Sequence, residues 1–247
     1  MKNLARGRHT ALRGACRFLH MPEYVYFVVS QRVLPGNLIL VFQHPVMLKI
    51  FSSSRIDIAG GVDMRQGLVL VDIQNDYFPG GKMALAGMER AAGNARRLLQ
   101  EFRNRQLPVF HVRHISKRPG AAFFLPGTQG AEIHETMAPK PVETVIEKHF
   151  PNSFRNTSLL EHLKQAQVEE VVVCGAMSHM CIDATVRAAF DFGFSCMVVE
   201  DACAARDLQH KGKTVEADQV HSAFMAALSA PYAKVITADE FCVAEAR

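Results

Sequence analysis

Three residues in this sequence have the types needed to make and break an acyl bond: Asp72, Lys148 and Cys181. Cys181 stands in "VVVCGAMSHMCID", just past a glycine-led turn where a chain passes from strand to helix. A thiol at a helix start has its thiolate favoured by the unpaired N–H groups there. Lys148 closes "TVIEK" and supplies a cation that can lower the thiol pKa and hold an ionised Asp72 in place. Asp72 follows "LVLV" and can take the thiol proton, then return it to a leaving amine. Cys181 would attack a carbonyl carbon and form a thioester that water hydrolyses. The loop "GAMSHMC" can aim backbone N–H groups at the oxyanion, each worth on the order of 10²–10³ in rate. Singly, the three residues have plainer readings: a loop or cap aspartate, a solvated lysine, a packed thiol.

What unites them is the pattern of elements around them. From Gly67 onward short apolar runs alternate with helical spacing. "GLVLVDI", "LPVFHVRH", "ETVIEK", "EEVVVCGA", "FSCMVVEDA" and "AKVITADEF" read as strands. "GMERAAGNARRLLQEFRNRQ" reads as a helix with Ala91, Ala95, Leu98, Leu99 and Phe102 on one side. "NTSLLEHLKQAQ" reads as a helix capped near Asn156 or Thr157. "CIDATVRAAFDFG" is a helix stopped by Gly193, and "DQVHSAFMAALS" is another. Strict alternation implies a parallel sheet with helices on both faces and ligands at the carboxyl ends of its strands. Asp72, Lys148 and Cys181 should all open on that edge.

The segments "LVLVDIQNDYF", "EKHFPNSF" and "VVVCGAMSHMCIDATVRAAFDFG" together resemble the isochorismatase-like cysteine hydrolases, which include nicotinamidase and N-carbamoylsarcosine amidohydrolase. The resemblance runs from about Gly67 to Phe241. It implies a catalytic triad of Asp72, Lys148 and Cys181, and a three-layer α/β/α sandwich around a mainly parallel, Rossmann-like sheet. It also implies a cis peptide at Ala176–Met177, an oxyanion hole from the N–H groups of Met177 and Cys181, and a homo-oligomer, dimer or tetramer.

The nicotinamidase branch binds a metal through an Asp-x-His pair and a further histidine. Here His111 and His114 are three apart on a strand and face opposite sides. His114 and His134 could meet across a loop, but no carboxylate has the right spacing. Neither a metal nor another cofactor is therefore expected. Residues 120–134 form a long glycine-containing connection, read equally as a binding loop or a subunit contact. Its Phe123 and Phe124, with Tyr77, are expected to shape a substrate pocket, and His179 is placed at its edge.

The bulk numbers set outer limits. The 247 residues carry a formal charge of +4, 49% apolar and 21% charged residues, which is ordinary globular composition. With no basic stripe beyond the N-terminus, nucleic acid is not expected as a partner. No run is long and apolar enough to span a bilayer, so no membrane partner is expected. The six cysteines show no CxxC and no disulfide ladder, which points to free thiols in a cytoplasmic setting. Residues 1–63 read as an extension, with the hydrolase domain spanning 64–247. The acid-free "MKNLARGRHTALRGACRFLH" suits either an organelle transit peptide or translated upstream sequence, and residues 24–42 could form a hairpin around Pro35-Gly36-Asn37. The expected activity is hydrolysis of a small amide, ureido or related C–N bond. The alternatives are vinyl-ether hydrolysis on the same scaffold, or a thiol redox or binding protein.

Overall fold

The structure is a computed structural model that describes residues 64–245. The leader and the hairpin expected at 24–42 lie outside the described residues. The elements run β1 (Gln66–Val71), α1 (Met88–Asn104), β2 (Val109–His114), β3 (Thr144–Lys148), α2 (Leu159–Gln165), β4 (Glu170–Ala176), α3 (Asp183–Asp191), β5 (Ser195–Ala204), β6 (Leu208–His210), β7 (Lys213–Val215), α4 (Ala217–Leu228), β8 (Lys234–Ile236) and α5 (Ala238–Glu245).

Six strands form one parallel sheet in the order β3-β2-β1-β4-β5-β8. Every residue of the central strands β1 and β4 is buried. That is why both read as unbroken apolar runs: helices cover both of their faces. α1 packs on β1, β4 and β5 and against α5, with Phe102 and Phe241 stacked at 5.8 Å. α3 and α4 pack together, α3 on β5 and α4 on β8. The result is an α/β fold of a mainly parallel sheet with flanking helices.

Register fixes the business edge. Val71 is level with Val112 on β2 and with Gly175 on β4, and His114 is level with Lys148. The carboxyl ends of β1 to β4 therefore finish together. Gly175 permits the close approach. Its φ is +124°, and a Cβ there would overlap the Val71 carbonyl.

Two local features differ from the sequence expectation. The last strand was expected to run to Phe241, but β8 ends at Ile236 and α5 follows. Thr237 and Glu240 form a reciprocal cap: Glu240 N–H donates to Thr237 Oγ1 at 3.2 Å, and Thr237 N–H donates to Glu240 Oε2 at 2.7 Å. The hairpin β6–β7 was not expected. It turns at Lys211 and Gly212, whose φ angles are +50° and +77°.

Candidate active site

Asp72 leaves β1 with φ +52°, a left-handed conformation that aspartate tolerates better than most residues. Its N–H donates to Val112 O at 2.9 Å, and its side chain is completely buried. Lys148 ends edge strand β3 on the inward side of the alternation, beside Ile146. Its Nζ reaches Asp72 Oδ2 at 2.9 Å and donates to Pro151 O at 2.9 Å, and its side chain is also fully buried. A buried ammonium without such partners would cost several kcal/mol, so each charge requires the other.

Cys181 was expected to start an ordinary helix. It sits instead on a π-helical turn, Ser178–Ile182, that feeds α3. The Met177 carbonyl accepts from Met180 N at 3.0 Å and from Ile182 N at 3.2 Å. Such turns occur frequently at functional sites. The preceding Ala176–Met177 bond is cis. The Cys181 thiol lies within 4.8 Å of an Asp72 carboxylate oxygen and is 4% exposed.

The electrostatics differ from the expectation of a helix-stabilised thiolate. Burial pushes the Cys181 thiol up to about 12, and Asp72 pushes the same way, while Lys148 only partly opposes them. Burial would lower Lys148, but the Asp72 charge beside it holds it above its ordinary value. Lys148 and Asp72 thus form a buried ion pair beside a thiol that burial makes hard to ionise.

Beside the thiol opens a cavity of about 610 Å³. Tyr77, Phe123 and Phe124 form one wall, with Tyr77 and Phe124 centroids 4.6 Å apart. Residues 120–134 thus contribute cavity lining. Burial first, then the charge of Cys181, raises the Tyr77 phenol well above its ordinary value, so it stays protonated. His179 is the exception among the expected pocket residues: it does not line the cavity. Its ring stands edge-on to Phe224 of α4, 6.0 Å between centroids, because the π-helical turn directs it toward that helix.

The two β2 histidines do point apart. His111 Nε2 donates to Glu143 Oε2 at 2.9 Å, whereas His114 lines the cavity. His134 stacks on Phe78 at 3.6 Å. Among the described residues, one donor set converges: Asp72, His114 and Cys181, with ligand atoms within 4.8 Å of one another. These are chemically fit for a thiophilic ion. Two of them are the groups proposed for acyl transfer, so an ion held there would occupy the thiol and carboxylate.

Two supporting residues carried no sequence signal. Asp76 is buried; its Oδ2 accepts from Phe124 N at 2.6 Å and its Oδ1 from Lys82 N at 3.1 Å, pinning the aromatic wall. His221 of α4 bonds through Nδ1 to Ser178 Oγ at 2.9 Å, and Ser178 Oγ donates to Ala204 O at 3.1 Å. This ties the π-helical turn to α4 and β5. Both contacts are tertiary and depend on residues distant in the chain.

The isochorismatase domain profile matches residues 66–240. The isochorismatase family protein YddQ of Bacillus subtilis (strain 168) is 57% identical over 178 residues, covering 72% of this chain and 99% of that protein. The crystal structure of an isochorismatase from Pseudomonas putida KT2440 is 36% identical, with a TM-score of 0.67, over 71% of this chain and 89% of the other. That of N-carbamoylsarcosine amidase from Thermoplasma acidophilum is 27% identical, with a TM-score of 0.62, over 71% and 98%.

Proposed function

Because the chain belongs to the isochorismatase family of hydrolases, we propose that it cleaves a C–N bond of a small amide or ureido compound through a thioester on Cys181. The observation that carries this reading is the buried Asp72–Lys148 pair at 2.9 Å, set against the neutral thiol of Cys181. A thiol raised to about 12 is a poor nucleophile until its proton leaves. Asp72 takes that proton as sulfur attacks the carbonyl carbon. The C–N bond then breaks, and Asp72 returns the proton to the departing nitrogen. Water next attacks the thioester, Asp72 accepts its proton, and the acid and the free thiol are released. Lys148 stays protonated throughout and keeps Asp72 paired in a site closed to solvent. The N–H groups of Met177 and Cys181 are the proposed oxyanion donors.

N-carbamoylsarcosine amidase carries amide cleavage in its name, which supports C–N chemistry on this scaffold. Vinyl-ether hydrolysis needs no nucleophile, and the convergence of the thiol on a proton acceptor favours acyl transfer over it. The test is a screen of small amides and ureido compounds by ammonia release, on the intact chain and on Cys181→Ala. Release by the first and none by the second supports the reading. Equal release by both contradicts it.

A further inference from the structure

The cavity beside Cys181 has an unbalanced charge. Its lining includes Lys117, Arg118 and Arg206, and no aspartate or glutamate among the described residues. Lys117 and Arg118 follow β2 and Arg206 follows β5, so the cations approach the β1–β4 centre from both sides. None of the three makes an ion pair among the described residues. Other arginines of the domain are engaged: Arg97 with Asp239, Arg103 with Glu143, Arg113 with Glu132 and Glu147, Arg187 with Asp183.

The nearby acids are held by other groups and make no ion pair with these three cations among the described residues. Asp72 is neutralised by Lys148. Asp76 accepts from Phe124 and Lys82, Asp207 accepts from Ala217 N, and Glu147 pairs with Arg113. Three cations on the lining of a concavity whose adjacent carboxylate, Asp72, is already paired with Lys148 create a field that favours anions. Much of the remaining lining is apolar, with Phe123, Phe124 and Phe150 joined by Met83, Met177 and Met180, and its polar members Tyr77, Ser116, His114 and His149 include no carboxylate. About 610 Å³ is far more than a urea-sized molecule needs.

We propose that the substrate is an anionic amide: a C–N bond to be cleaved, an apolar or aromatic body, and an acidic group held by Arg206, Arg118 and Lys117. This rests on the reading of Cys181 as the nucleophile and narrows the class of compound it meets. The three cations are exposed and solvated in the free protein; an anion gains charge-assisted hydrogen bonds from the guanidinium forks that a neutral amide does not.

The test uses two alkylating agents of similar size. Iodoacetate and iodoacetamide each form an S–C bond with the Cys181 thiolate and lose iodide, and only the first is an anion. Their rates at Cys181, read by peptide mass spectrometry, are expressed as a ratio and divided by the same ratio for the neutral thiol N-acetylcysteine amide. Thiolate fraction cancels. The expected normalised ratio at low salt is about tenfold or more in favour of iodoacetate. It should fall toward one at high salt and in the Lys117→Gln/Arg118→Gln/Arg206→Gln variant. A wild-type ratio at or below one overturns the proposal while leaving the hydrolase reading standing. If neither reagent labels Cys181, the nucleophile assignment fails, and the charge preference is decided in Cys181→Ala by calorimetry with phenylacetate and phenylacetamide. Tighter binding of phenylacetate supports an anion site. Equal binding, weaker binding or no binding of it overturns one.

Discussion

Lys148 Nζ and Asp72 Oδ2 are 2.9 Å apart, and neither side chain has any exposed surface. In the proposed mechanism the pair makes a proton acceptor available to a thiol that burial would otherwise keep inert. Lys148→Met removes a charge that lowers the Cys181 pKa, so the thiol should become still harder to ionise. Loss of an adjacent opposite charge commonly shifts a group by a unit or more, so iodoacetamide labelling at neutral pH should slow about tenfold or more. The measurement is labelling rate against pH. Because an unpaired Asp72 is itself destabilising, Asp72→Asn/Lys148→Met serves as the folding control. An unshifted profile in a folded Lys148→Met protein would remove Lys148 from the mechanism.

Asp76 acts one layer out. Its carboxylate holds the Phe124 and Lys82 amides, so Asp76→Ala leaves a buried donor unpaired at a cost of ~1–3 kcal/mol. The aromatic wall should loosen. KM is expected to rise more than kcat falls, with Asp76→Asn intermediate, because it keeps one acceptor. Steady-state kinetics with the substrate found by the ammonia screen decides it, and a pure kcat loss would refute the wall-pinning role.

Glu143 gives a pH signature away from the site. Burial would raise this carboxyl, but Arg103, the Lys140 amide and His111 outweigh that and hold it at about 2, below its ordinary 4.5. A folded-state pKa below the unfolded one stabilises above the unfolded value and loses that stabilisation as pH falls through the folded one. Glu143→Gln should therefore lower the thermal midpoint at pH 7, and the deficit should shrink as pH falls from 4.5 toward 2. A deficit that is constant across this window would mean that packing, not charge, is responsible.

Zinc should inhibit. The Asp72, His114 and Cys181 donors converge within 4.8 Å, and a thiolate binds zinc far better than a thiol. Micromolar zinc is expected to abolish turnover, a chelator to restore it, and His114→Asn to raise the inhibitory concentration. Activation by stoichiometric zinc would instead assign the ion a catalytic task.

Much of this was legible from pattern because it is local or periodic. Buried parallel strands leave continuous apolar runs, so the sequence alone places Asp72 and Lys148 at strand ends on one edge. Which strands are neighbours is not encoded locally; the order β3-β2-β1-β4-β5-β8 is what brings Lys148 across to Asp72. The α5 boundary was legible and missed: Thr237-Ala-Asp-Glu240 is a capping-box sequence inside a stretch read as strand. The raised thiol pKa could not be read at all. It comes from burial, which reverses the helix-start argument for Cys181. The roles of Asp76 and His221 rest on contacts spanning 48 and 43 residues, for which one sequence holds no signal.

The central claim is that sulfur becomes acylated. The most direct measurement is rapid acid quench of the enzyme during turnover of an amide found by the ammonia screen, followed by peptide mass spectrometry. The account predicts a burst of protein carrying the acyl mass on Cys181, discharged by hydroxylamine, and absent in Cys181→Ala. Sustained turnover with Cys181 unmodified at every quench time, together with an active Cys181→Ala, would contradict it.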